Sequence, residues 1–139
     1  MSTGHSKNNS NVEFIVLGEP VSKANSRKIA HIRGNIKVIK SEKALNYVKT
    51  FAPQCPALYP QMDGDVRVWI TIYYASRRPD LDESVILDCM QAQRIKLPGG
   101  RVEYVGGIYL NDRQVKEKHI VWALDRENPR AHIRVEAIP

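Results

Sequence analysis

The segment VRVWITIYYA, Val66 to Ala75, constrains this chain more than any other stretch. It is β-branched and aromatic throughout, with no glycine or proline, and reads as the dominant strand of a sheet. Tyr73 and Tyr74 at its end must face opposite sides. It runs into Ser76-Arg77-Arg78-Pro79 and then DLDESVILDCMQAQ, which reads as a helix of three to four turns burying Leu81, Val85, Cys89 and Met90. Upstream, Val12 to Leu17 is a short strand closed by Gly18-Glu19-Pro20. Ile29 to Ile39 alternates around Arg33-Gly34-Asn35 as a hairpin. Ser41 caps a helix whose stripe is Ala44, Leu45, Val48 and Phe51, ended by Pro53 and Pro56. Pro98-Gly99-Gly100 turns a second small hairpin ahead of Gly106-Gly107. Gln114 to Leu124 and His132 to Ile138 complete the strands, and Trp69 and Trp122 are expected in the core. The order strand, hairpin, helix, strand, helix, strand, strand predicts an α+β domain. It should hold a mixed sheet of about four to six strands covered by two helices. Residues 12–139 form this one domain, behind a polar segment, 1–11, that is expected to fray.

The balance of 21 Lys and Arg against 15 Asp and Glu leaves a net charge of +6 and a pI near 9.4. That excess suits a polyanionic partner, because neutralised phosphates release condensed counterions. Cys55 and Cys89 lie far apart and belong to no C-x-x-C, so a disulfide framework or cysteine-based zinc site is not expected. No apolar run is long enough to span a bilayer, and the N-terminus lacks the apolar centre of a signal peptide. A cytoplasmic protein is the expectation.

The chemistry concentrates in Arg77-Arg78-Pro79-Asp80-Leu81-Asp82 and in Tyr109-Leu110-Asn111-Asp112. Pro79 pushes Arg78 toward extended conformations, so the strand should persist to this point. If the chain stays extended through residue 82, Asp80 and Asp82 share a side and Leu81 turns inward. Two adjacent carboxylates repel, and a hard divalent cation such as Mg²⁺ relieves that repulsion. Asp112, at the head of the next strand, would close the same site. Helix capping is the competing reading: Asp80 with Glu83 matches a capping box, and Asp82 suits an N-cap. His31, His119 and His132 lack paired spacing and read as structural. No Ser-His-Asp set or nucleophilic cysteine is evident.

RRPDLDESVILDCMQ followed by YLNDRQV resembles the D-L-D and D-x-Q-V signatures of the RusA-like Holliday junction resolvases. FIVLGEPVSKANSRK likewise resembles that family's opening strand, Gly-x-Pro turn and basic loop, so the likeness runs over residues 12 to 138. The resemblance implies a homodimeric, Mg²⁺-dependent endodeoxyribonuclease, with Mn²⁺ as an alternative ion, that hydrolyses phosphodiesters of branched DNA in recombination and repair. It implies a bacterial or phage setting and carries the metal to Asp80, Asp82 and Asp112. Three positions depart from the pattern: Glu83 stands where Asn is frequent, Asn111 where many relatives are acidic, and Ile86 where the helix lysine is expected. Lys116 is the proposed replacement cation if residues 112 to 118 are extended, with Lys118 too distant and Arg113 on the other side barring a bulge. Lys23, Arg27, Lys28, Arg77, Arg78 and Arg113 are the expected DNA contacts. The missing lysine keeps a catalytically weak or inactive nucleic-acid-binding protein as the alternative, and a protein-interaction domain with a merely capping Asp pair as a third reading.

Overall fold

A computed structural model describes residues 10–139. Eight strands and two α-helices follow one another as β1 (Asn11–Leu17), β2 (Arg27–Ile32), β3 (Asn35–Lys40), α1 (Glu42–Phe51), β4 (Val66–Tyr74), α2 (Ser84–Cys89), β5 (Gln93–Lys96), β6 (Val102–Val105), β7 (Val115–Leu124) and β8 (Arg130–Ala137). Four of the strands make one mixed sheet in the order β1-β8-β4-β7, while β2-β3 and β5-β6 stand apart as two-stranded ribbons. The protein is therefore α+β, as the element order predicts. The polar N-terminal segment falls mostly outside the described residues, but Asn11 already belongs to β1.

β4 forms because every second residue has somewhere apolar to go. Val66, Val68, Ile70, Ile72 and Tyr74 are all buried, and the residues between them are not. β8 supplies Ala131, Ile133 and Val135 beside them, and β1 supplies Val16. Onto this face α1 packs Ala44, Tyr47 and Phe51, with Phe51 edge-on to Phe14 at 6.2 Å between centroids. The helix starts where expected: the Ser41 hydroxyl accepts the Ala44 N–H at 3.1 Å. The buried stripe differs from the expected one, since Tyr47 takes the inward position and Leu45 is exposed. Trp122 packs against the core, whereas Trp69 lies on the opposite, outer face of the sheet, stacked on His119.

The expected long helix after β4 does not form. β4 stops at Tyr74, residues 75–83 are irregular, and α2 spans only Ser84–Cys89. At its start, the buried Tyr74 hydroxyl donates to the Asp80 carbonyl and accepts the Asp82 N–H, each at 3.3 Å, which holds the D-L-D backbone out of a helix. At its end, the Met90 carbonyl accepts the Ile108 N–H and the Ala92 N–H donates to Tyr109, both at 2.8 Å, so the chain leaves the helix to pair with residues 108–109. Gly107 permits this crossing, because a Cβ there would sit 2.5 Å from the Ala92 backbone nitrogen.

Residues 112–114 depart from expectation too. They form a 3₁₀ turn, and β7 begins only at Val115. The reason is a capping box: Asn111 Oδ1 accepts the Arg113 N–H at 2.8 Å, and Gln114 Oε1 accepts the N–H groups of Asn111 and Leu110 at 2.9 and 3.0 Å. Gln114 Nε2 then donates to the carbonyls of Met62 and Gly64, each at 2.8 Å, fastening the turn to the segment before β4. Four hydrogen bonds thus converge on one amide. Gln114→Ala leaves these backbone groups to water or unpaired, so we expect a loss of about 2 kcal/mol. That corresponds to a fall in Tm of about 6 °C for a domain of this size, read by thermal or urea unfolding. An unchanged Tm would show that the turn holds without its amide.

Candidate functional site

All the acidic residues of interest lie on the long connection from β4 to β7. Asp80 is exposed, and only its backbone is engaged: its carbonyl accepts the Tyr74 hydroxyl and, at 3.4 Å, the Lys23 N–H. The second contact sets the basic loop of Lys23 against the D-L-D segment. Burial pushes the Tyr74 phenol up to about 12, so it stays a neutral donor in this network. Asp82 Oδ1 accepts the Ser84 N–H at 2.9 Å, an Asx-turn contact just ahead of α2, whose N-cap is Glu83 and not Asp82 as expected. The Asp80–Glu83 capping box is not formed, because Glu83 reaches across to Lys118 Nζ at 2.7 Å.

Asp112 finds a different partner. Its N–H donates to Gln91 Oε1 at 2.7 Å, and its carboxyl lies within hydrogen-bonding reach of Asp88. Desolvation first, then the shared hydrogen bond and the charge of Asp88, raise the Asp112 carboxyl above its ordinary range, while Arg113 opposes the shift. Lys40, the last residue of β3, balances Asp88 at 3.3 Å. The carboxylate pair that this fold assembles is thus Asp88–Asp112. The signal for Asp88 was available, since it lies six residues beyond Asp82 in the same D-L-D segment, but nothing local distinguished it from a solvated helix residue.

Among the described residues, no three His, Cys, Asp or Glu side chains stand together as a metal-binding group. The triad Asp80, Asp82 and Asp112 is therefore not gathered into a preformed site. The Asp88–Asp112 pair offers two carboxylates, a set that fits Mg²⁺ only when phosphate oxygens and water complete its shell. Ile86 is 1% exposed and belongs to the core, so that position contributes no cation. Lys116 is exposed on β7, and the extended path from Asp112 on which its reach depended is replaced by the 3₁₀ turn. Lys118 turns out to be the β7 lysine tied to the connection, through Glu83. Burial pushes the Cys55 and Cys89 thiols up to about 11 and about 12, which removes both as nucleophiles at neutral pH.

Positive charge gathers on the first ribbon. Residues 20–41 hold six basic residues, Lys23, Arg27, Lys28, Arg33, Lys37 and Lys40, and no Asp or Glu. All but Lys40 are exposed, as are Arg77, Arg78 and Arg113. Ile29, Ile36 and Val38 are exposed on the same ribbon, flanking its charges with apolar surface. No helix among the described residues is long and apolar enough to cross a membrane. No protein-family model matches the chain. No curated protein matches it either.

The raised Asp112 carboxyl has a consequence for stability. A carboxyl whose folded pKa lies above its unfolded value favours folding when protonated and loses that contribution as pH rises through the folded value. At neutral pH the ionised Asp112 therefore opposes folding. Asp112→Asn should raise Tm at pH 7, and the advantage over the parent should vanish as pH falls through the ordinary carboxylate range. Thermal melts from pH 3 to 8 check this, and an advantage that grows on acidification would contradict the assigned pair.

Proposed function

We propose that the chain is a structure-selective endodeoxyribonuclease for branched DNA of the kind the RusA-like resemblance implies. One observation carries the reading: a ribbon with five basic residues and no carboxylate, preceded by Lys23, is joined at its base, through Lys40, to a carboxylate pair. A two-stranded ribbon is narrow enough to enter a DNA groove, and its charges suit the phosphates on either side. The 3.3 Å Lys40–Asp88 contact then brings a DNA backbone tracked by the ribbon close to Asp88 and Asp112. Lys23, Arg27 and Lys28 bind from the ribbon side, and Arg77, Arg78 and Arg113 from the connection. Asp88 and Asp112 would be the residues to hold a Mg²⁺ ion, and the chemistry supplied there would be polarisation of a phosphodiester and a lowered pKa of water. Gln91 and the capped 111–114 turn hold Asp112 in place, and Lys40 holds Asp88.

The second reading, nucleic-acid binding without turnover, is favoured by two observations: no three carboxylates stand together among the described residues, and Ile86 is core. Cleavage of labelled four-way junction, flap and linear duplex, with Mg²⁺ and with EDTA, separates the two. The nuclease reading expects nicking of the branched substrates in Mg²⁺ only, abolished in Asp112→Asn and Asp88→Asn with binding retained. Binding without nicking under every condition leaves the second reading. Neither binding nor nicking removes both. In EDTA, Lys28→Ala and Lys37→Ala should each reduce the magnitude of the log K against log salt slope by about 0.9 for every phosphate that the lysine neutralised. An unchanged slope would take the DNA off the ribbon.

A further inference from the structure

Side chains alternate sides along β5 and β6, and cross-strand partners share a side. The pairs Arg94–Tyr104 and Lys96–Val102 therefore lie on one face of the second ribbon, and Ile95–Glu103 on the other. The first face is exposed throughout, with Tyr104 at 40% and Val102 at 38%, while Ile95 behind it is half-buried. Glu103 is the only carboxylate between residues 93 and 105, so the cationic face holds none. Among the described residues, the side chains of Arg94, Lys96 and Tyr104 have no hydrogen-bond, ion-pair or ring partner. On the main sheet, by contrast, Trp69 and Tyr73 are each covered by an arginine of the same chain. The Tyr104 ring is open.

An open ring beside two free cations and an apolar neighbour matches a ligand that presents base faces and phosphates together. We propose that this face binds an unpaired DNA strand, with a base stacked on Tyr104 and phosphates on Arg94 and Lys96. A duplex hides its base faces inside the stack, and would leave Tyr104 and Val102 against a rim of phosphates.

The root of the ribbon decides where such a strand leads. Residues 90–92, just before β5, bond to residues 108–109, just after β6, and Gln91 Oε1 accepts the Asp112 N–H at 2.7 Å. Gln61 Nε2 fastens the same root by donating to the Gly106 carbonyl at 2.9 Å. The first ribbon is joined to Asp88 through Lys40. Both ribbons are thus rooted at the Asp88–Asp112 pair, the first suited to duplex and the second to single strand. On the nuclease reading, on which this step rests, the substrate class narrows to branches with a single-stranded arm, flaps and forks, ahead of fully paired four-way junctions.

Fluorescence anisotropy in EDTA tests the strand contact without cleavage. The probes are a flap with an oligothymidine arm, the same duplex without the arm, and a fully paired four-way junction. The parent should bind the armed flap at least about tenfold tighter than the armless duplex. Tyr104→Ala should lose about tenfold on the flap and stay within about twofold on the four-way junction, whereas Tyr104→Phe, which keeps the ring, should match the parent. Arg94→Ala combined with Lys96→Ala should lower the magnitude of the salt slope for the flap by about 0.7 per phosphate released. The replaced side chains are exposed and unpartnered, so the variants should melt like the parent.

A flap bound no tighter than its duplex overturns the proposal. So do a Tyr104→Ala loss shared equally by the four-way junction, a Tyr104→Phe protein that behaves like Tyr104→Ala, an unchanged salt slope, or tighter binding of an oligouridine RNA arm. Nicking of four-way junctions in Mg²⁺ with no gain from the arm ends this inference and spares the nuclease reading. Arm binding lost in Tyr104→Ala, with no nicking of any substrate, supports the strand contact and ends the nuclease reading.

Discussion

Strands β4 and β7 lie side by side and run in the same direction, and the rest of the molecule is arranged around that fact. A parallel pair cannot be closed by a hairpin, so the chain must travel from Tyr74 at the end of one strand back to Val115 at the start of the other. Everything of chemical interest downstream of β4 is carried on this return path. Its first limb holds Arg77, Arg78, Asp80, Asp82 and Asp88, and its last holds Asp112 and Arg113. The two limbs meet because the return path pairs with itself: residues 90–92 bond to 108–109, and Gln91 reaches the Asp112 N–H.

Two polar anchors, one buried and one half-buried, hold the ends of that path. Tyr74 fixes the departure by bonding the backbone of Asp80 and Asp82, and Gln114 fixes the arrival through its four amide bonds. Between these anchors the carboxyl groups of Asp88 and Asp112 are brought together at a desolvation cost, visible in the raised Asp112 carboxyl. Groups held at such a cost are frequent where chemistry is performed, although ion-pair networks show the same shift. Arg113 offsets part of this cost at Asp112, and Lys40, contributed by the basic ribbon, pairs with Asp88, so the acidic pair and the cationic surface form one electrostatic unit.

Much of this is legible in the sequence wherever a residue's role is decided by near neighbours. β-Branched and aromatic residues mark β4, Arg33-Gly34 marks the first ribbon's turn, Pro98-Gly99-Gly100 the second, and Ser41 the start of α1. Roles decided by distant contacts are not legible. The D-L-D segment has helical composition, and only the Tyr74 hydroxyl and the 108–109 backbone cut its helix to Ser84–Cys89. Asn111 and Gln114 look like mere flanks of an aspartate, whereas their spacing encodes a capping box that turns Asp112 toward Asp88. Size alone assigns Trp69 to the core. Its phase, shared with Arg67, Thr71 and Tyr73 against five buried neighbours, places it on the outer face instead.

The central claim is that DNA lies along the β2–β3 ribbon and beside the Asp88–Asp112 pair. Amide chemical-shift mapping of the chain with an immobile four-way junction in EDTA tests it most directly, since binding is then read without cleavage. The account predicts shifts concentrated in residues 23–40 and 110–114, fading as salt is raised. Shifts confined to the outer face of the sheet, around Trp69, Tyr73 and Arg130, would contradict it.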